Sequence, residues 1–235
     1  MSMPDWEPLG ESALLLRWGQ RIDAALNAHV HAAATAIGNA ALPAIEDIVP
    51  AYASLLLRFD ARHWSRNGTR DAHTALRTCI EPLLPTAAPD VQRARTLRIP
   101  VAYGGDSGPD LDALARTCGM DAQTFVSRHT APLYRVAMLG FAPGFPYLLG
   151  LDAALYAPRR ASPRVRVPAG SVAIGGAQTG IYPSELPGGW QLIGRTPLRL
   201  FDPTRSPPCL LRAGDCVRFV AVPAETPAHA DRGAA

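Results

Sequence analysis

Residues 167–190 read VPAGSVAIGGAQTGIYPSELPGGW, a run crowded with glycine, proline and small hydroxyl residues that still keeps strand-like fragments. Glycine permits positive φ and lets backbone amides approach a ligand, while proline removes donors and stiffens turns. Together they hold irregular backbone in one reproducible shape. The same residues build ordinary hairpins, so the run reads either as a binding site or as the turns of a β-rich domain. Working outward, helical periodicity disappears from Tyr134 onward. Fragments at 134–139, 171–174, 190–194, 198–201 and 216–222 alternate with Gly/Pro turns, a spacing that indicates a sandwich or a closed barrel.

The first ninety residues follow a different pattern. A strand at 13–18 precedes a helix at 22–37, on which Ile22, Leu26, Val30 and Ile37 mark one face. Short strands at 45–49 and 54–59 then flank Pro50 and Tyr52. A second helix spans 67–84, with Asn67 as its cap, Leu76, Ile80 and Leu83 on its buried face, and Pro85 and Pro89 as its stop. A strand at 97–103 completes the order β, α, β, β, α, β, which is the ferredoxin-like arrangement. His29, His31, His63 and His73 form no cluster and read as surface or structural residues. This half is suited to assembly rather than chemistry.

The chain has 235 residues, 48% of them hydrophobic and 18% charged, enough for one large domain or two small ones with their own cores. Its formal charge of +3 is carried by arginine alone, because no lysine occurs. A P-loop lysine, a Schiff-base lysine and a biotin-accepting lysine are thereby excluded, and any phosphate must meet arginines, backbone amides or a metal. The arginines form no basic block interleaved with aromatics, so no nucleic-acid partner is expected. Cys79, Cys118, Cys209 and Cys216 have neither disulfide-framework nor zinc spacing and read as reduced thiols; no metal site is expected. Asp5, Glu7 and Glu11 stand where a signal peptide would carry basic and apolar residues, and no apolar stretch is long enough to span a bilayer. A cytoplasmic protein with no membrane partner is the expectation.

Three clusters in the second half carry candidate chemistry. Phe141, Phe145 and Tyr147 lie among the glycines and prolines of 140–147, as a rigid aromatic wall or as a plug for a barrel end. Arg164 and Arg166, in the stretch that also holds Arg159 and Arg160, share one side of an extended segment. They could grip a carboxylate or phosphate, or form a solvated strand face. Gln178, Thr179, Tyr182, Trp190 and Arg195 supply donors able to converge on one ligand. Short helices at 110–117 and 121–129 precede the strands, and His129 at the end of the second is the candidate general base, with a hydrogen-bonded structural role as the alternative.

GFAPGFPYL at 140–148, PRVRVPAGSVAIGGAQTGIYP at 163–183, PGGW at 187–190, IGRTP at 193–197 and VAYGGDSGPDL at 101–111 resemble the family of 5-oxoprolinase B subunits, also known as allophanate hydrolase subunit 1 or KipI-like proteins. The resemblance implies a cyclophilin-like β-barrel after a small α/β domain. With the element order above, the α+β chain divides into a ferredoxin-like α/β sandwich at 1–95, the barrel at 96–223 and a tail at 224–235 whose small, polar, proline-containing composition reads as loose. It implies two partners, a companion barrel of the C type and a third polypeptide of the LamB/YcsF type. Their joint reaction would be the opening of 5-oxoproline to glutamate, with ATP and magnesium bound at the level of the complex. Pro168, Gly170, Ser171, Gly188 and Gly189 join the clusters above as expected substrate- or nucleotide-binding positions. The sequence departs from the family pattern at Leu186, which stands where a serine precedes PGGW, and at Gly175, where alanine is common. A KipI-like inhibitor of a histidine kinase and an allophanate or urea-pathway component are the alternative functions.

Overall fold

Leucines at every second position of two short strands organise the first compact unit, which comprises Met1–Arg95 with Ala137–Leu139 and Arg212–Gly214. The computed structural model describes residues 3–65, 71–86 and 94–223. Strand β1 (Asp5–Pro8) folds back on β2 (Ala13–Arg17), and β3 (Ile45–Pro50) pairs with β4 (Ser54–Phe59). The four form one antiparallel sheet in the order β1-β2-β4-β3. Leu14 and Leu16 of β2 and Leu55, Leu57 and Phe59 of β4 point to one buried face, as the period of two requires. Helices α1 (Ala24–Asn39) and α3 (Ala72–Ile80) close that face with Val30, Ala33, Ile37, Leu76 and Ile80; α2 (Ala61–Trp64) is a single turn before α3. The Asp23 carboxylate accepts the Leu26 N–H at 2.8 Å, so α1 starts there and Ile22 is left exposed outside it. Asp71 caps α3 through Thr74. Asn67, the cap expected from sequence, lies outside the described residues, as does the tail at 224–235.

The sheet differs from the expected ferredoxin-like one at a single position. Its place beside β2 is filled by β1 from the N-terminus, through four registered pairs from Asp5↔Arg17 to Pro8↔Leu14. The strand expected to complete it, β5 (Thr96–Tyr103), lies instead in the second unit. There it runs parallel to β13 (Cys216–Val222) over seven registered residues.

The second unit comprises Thr96–Val136, Gly140–Leu211 and Asp215–Ala235. Helices α4 (Leu111–Thr117) and α5 (Ala122–Thr130) are followed by β6 (Tyr134–Leu139), β7 (Pro146–Leu149), β8 (Arg164–Val167), β9 (Ser171–Gly175), β10 (Gln178–Ile181), β11 (Leu186–Gly188) and β12 (Gln191–Arg195). Seven strands close a barrel in the order β10-β7-β6-β13-β5-β12-β9, and β8 and β11 form a separate two-stranded ribbon. Of the two arrangements open from sequence, the closed barrel is the one found. The segment expected as a strand at 198–201 makes only the isolated bridge Phe201↔Cys209. Among the described residues, no helix is long and apolar enough to cross a membrane.

Leu57 sits fully buried on β4, between β2 and β3. Leu57→Ala is expected to lower unfolding stability by about 2–5 kcal/mol in urea titrations. Ile22→Ala, at an exposed position, should change it by less than about 0.5 kcal/mol.

Candidate functional site

Strand β9, SVAIG, alternates large and small side chains. Val172 and Ile174 take one face; Ser171, Ala173 and Gly175 take the other. The β9–β10 register extends both faces, setting Ile174 opposite Thr179, Ala173 opposite Gly180 and Gly175 opposite Gln178. The small face is a floor on which aromatic rings lie directly. A Cβ on Gly175 would stand 2.7 Å from the Trp190 ring, and one on Gly180 would stand 3.1 Å from the Phe145 ring. Phe145 is the hub, with its ring centroid 4.9 Å from Tyr147, 5.2 Å from Tyr182 and 5.7 Å from Trp190; the last two are edge-on contacts. Phe141 meets it at 5.5 Å yet stays 62% exposed, and its backbone adopts φ 68°. A left-handed conformation at a non-glycine residue costs on the order of 1–2 kcal/mol, so the surrounding loop must hold it. Gly140 N–H to Phe145 O (3.2 Å) and Phe145 N–H to Ala142 O (3.0 Å) supply that hold.

Charge rims this aromatic layer. The Arg159 guanidinium lies 5.8 Å from the Trp190 ring centre, a cation–π contact. Buried Asp110, just before α4, accepts Arg164 Nη2 at 2.8 Å and Arg160 Nη1 at 3.3 Å on one oxygen, and the Leu192 N–H at 2.7 Å on the other. Burial pushes the Tyr147 and Tyr182 phenols up and Arg159 opposes the shift, so both remain protonated at neutral pH. The two arginines expected to act together are separated: Arg164 is held by Asp110, while Arg166 is exposed beside Glu185 at 3.7 Å. Asp110 is the residue that sequence reading missed. Nothing local distinguishes it from a helix-capping aspartate, because its partners lie at positions 160, 164 and 192.

The remaining expected residues are distributed around the same strands. Gly188 and Gly189 approach Tyr182 and Pro163, where a side chain on Gly188 would collide with the Tyr182 hydroxyl. Pro168 and Gly170 form the turn into β9, with Gly170 at φ +79° against the Thr196 carbonyl. Arg195 faces Ser171 across the β9–β12 pair, and its Nε is buried without a hydrogen-bond partner. Gln178 shares the small face with Gly175. The concavities along α4 and α5, lined by residues such as Arg116, Met120 and Thr124, include none of these positions.

His129 and Thr179 belong elsewhere, which corrects the expectation of a general base. The His129 ring is 0% exposed and both of its nitrogens are engaged. Thr179 donates its hydroxyl proton to the Ala173 carbonyl (3.0 Å), so its oxygen accepts the His129 Nε2–H (3.1 Å), and Nδ1 accepts the Tyr103 hydroxyl (2.8 Å). Phe219 stacks at 4.7 Å, and the Tyr134 hydroxyl donates to the His129 carbonyl (2.7 Å). Burial pushes the imidazole pKa down to about 3, keeping the ring neutral. A base sealed in this way has no path to a substrate.

Fold and site together define an α+β chain built on a closed barrel that carries an aromatic, arginine-rimmed layer on the small-residue face of its strands. It belongs to the carboxyltransferase domain family, subdomain C and D, whose pattern matches residues 4–211. The chain is 44% identical over 220 residues to the 5-oxoprolinase B subunit of Bacillus subtilis (strain 168), covering 92% of both chains. Among solved structures it is similar to TTHA0988, with a TM-score of 0.78 and 40% identity, covering 92% of this chain and 41% of that one. The chain thus spans about two-fifths of that relative's length. The urea amidolyase of K. lactis shares the fold, with a TM-score of 0.68 at 21% identity over 93% of this chain and 15% of that one.

Two outcomes follow from the packing. Gly175→Ala should displace Trp190, altering the near-UV circular dichroism and costing about 1–3 kcal/mol, whereas Gly189→Ala, whose Cβ would make an ordinary 3.6 Å contact with Pro163, should leave both nearly unchanged. The unfolded imidazole of His129 takes up a proton near pH 6.5 and the folded one only near about 3. Its contribution to stability is therefore complete above pH 6.5 and is lost as the pH falls towards 3. Denaturant titrations across that window should show a steeper acid loss for the wild type than for His129→Gln.

Proposed function

We propose that this chain is the B-type component of an ATP-dependent 5-oxoprolinase, which opens 5-oxoproline to L-glutamate together with a companion barrel of the C type and a LamB/YcsF-type polypeptide. The observation that carries this reading is the 44% identity over 92% of both chains to a protein named as the B subunit of 5-oxoprolinase. The chemistry agrees with a shared site. A five-membered lactam is an unactivated amide, so its opening by water requires a carbonyl oxygen made into a leaving group or a developing charge held by donors. ATP supplies the activation when bound. This chain contributes arginines, protonated tyrosines and an aromatic wall, which suit binding and orientation, while its His129 is buried. Among the described residues no group of three His, Cys, Asp or Glu side chains is placed to hold a metal ion. Magnesium would arrive with the nucleotide, at the level of the complex. The four cysteines are free thiols, in keeping with work in the cytoplasm.

Mixing the purified chain with its partner polypeptides and following glutamate formation tests the proposal. ATP-dependent release of glutamate from 5-oxoproline by the full set, and none by the chain alone, is the expected result. A full set inert on 5-oxoproline but active on allophanate would replace the substrate. An inert set together with a chain that inhibits a histidine kinase would replace the enzymatic reading.

A further inference from the structure

We propose that Arg160 and Arg164, seated side by side on the Asp110 carboxylate, bind the carboxylate of a small acid, and that Asp110 is the positioning residue that holds them for it. The identification of that acid as 5-oxoproline rests on the function proposed above; the anion seat itself rests on geometry.

Three guanidinium groups, those of Arg159, Arg160 and Arg164, stand near the aromatic layer, and Asp110 supplies the carboxylate paired with the last two. Both Asp110 oxygens are committed, one to the two arginines and one to the Leu192 amide. The arginines are not satisfied in return. Arg164 Nη1 and Arg160 Nε are buried and have no hydrogen-bond partner. A buried donor left empty costs about 1–3 kcal/mol, and two on neighbouring guanidinium groups point to an acceptor that completes them. An anion with two oxygens matches this pair, because planar guanidinium forks accept carboxylates in a bidentate way.

The position selects the kind of anion. Arg164 lies directly across the β8–β11 ribbon from Gly188, and Gly188 packs on the Tyr182 hydroxyl. The Arg160 N–H is tied to the Gly189 carbonyl at 2.7 Å, next to Trp190. An acid held by the arginines would therefore lie against the Gly188–Gly189 backbone, next to the residues that pack on Tyr182 and Trp190. A small ring with one carboxylate fits such a neighbourhood better than a heavily charged polyphosphate.

Kinetics of the reconstituted assembly and calorimetry of the isolated chain together test this. Arg164→Gln and Asp110→Asn should each raise KM for 5-oxoproline by about tenfold or more with kcat changed by less than about twofold, the scale of one lost charged hydrogen bond. Loss of a purely structural ion pair would lower the thermal midpoint and leave KM unchanged. On the isolated wild-type chain, 5-oxoproline should bind while pyrrolidin-2-one, which lacks the carboxylate, should not. An active assembly with an unaltered KM in Arg164→Gln overturns the seat and leaves the oxoprolinase reading standing. An inert wild-type assembly removes the oxoprolinase reading, and calorimetry still decides the seat: equal binding of both lactams, or of neither, overturns it. Should Arg164→Gln fail to fold, Arg160→Gln and the comparison of the two lactams carry the same decision.

Discussion

The alternation of large and small side chains along Ser171–Gly175 is the constraint on which the rest of the second unit depends. Val172 and Ile174 fill one face of the strand, and the absence of bulk at Ala173, Gly175 and, across the pair, Gly180 lets aromatic rings rest directly on the other. Small residues in a strand interior forgo side-chain packing of their own, and Phe145 and Trp190 return it from above. The loop at 140–147 and the β8–β11 ribbon then have one layer to dock against, whose members Val167, Tyr182, Trp190 and Leu192 are all buried. Glycine at 175 follows from the same contact. With the indole this close, an alanine could be accommodated only by moving the ring.

The two faces are put to different uses. On the face of Ile174 and Thr179, a directed chain of hydrogen bonds runs from Tyr103 through His129 and Thr179 to the Ala173 carbonyl, and every donor in it is spent. Such a fully satisfied buried network fixes a unique arrangement and leaves nothing for a substrate. On the opposite face the polar groups are rationed differently: arginines outnumber the carboxylate that holds them, and some of their N–H groups are left over. Unspent arginine N–H groups therefore stand beside the aromatic face, while both His129 nitrogens are spent within the buried network.

Much of this is readable in the chain itself. The Gly/Pro run marks strand β9 and the turns around it, since turn residues and period-two alternation are local signals, whereas the short, glycine-containing β10 carries no such alternation. The leucines of β2 and β4 announce the first sheet in the same way. Two features are hidden because their causes are distant. Asp5–Pro8 contains Trp6 as its one large apolar residue and ends in proline, so only pairing with β2 makes it a strand, and this displaces the expected role of Thr96–Tyr103. Asp110 resembles a cap until residues fifty and eighty positions away fold onto it. His129 misleads for the opposite reason, because a lone histidine at a helix end carries no sequence mark of burial.

Membership of the carboxyltransferase family accounts for the fold, while the proposed ligand recognition rests on the layer around Trp190. The most direct measurement is the 1H–15N spectrum of the chain titrated with 5-oxoproline, read at the four tryptophan indole N–H signals. A saturable shift of the Trp190 signal is predicted, while those of Trp6, Trp18 and Trp64 stay in place. A Trp190 signal that does not move while backbone amides elsewhere shift on saturation would contradict it.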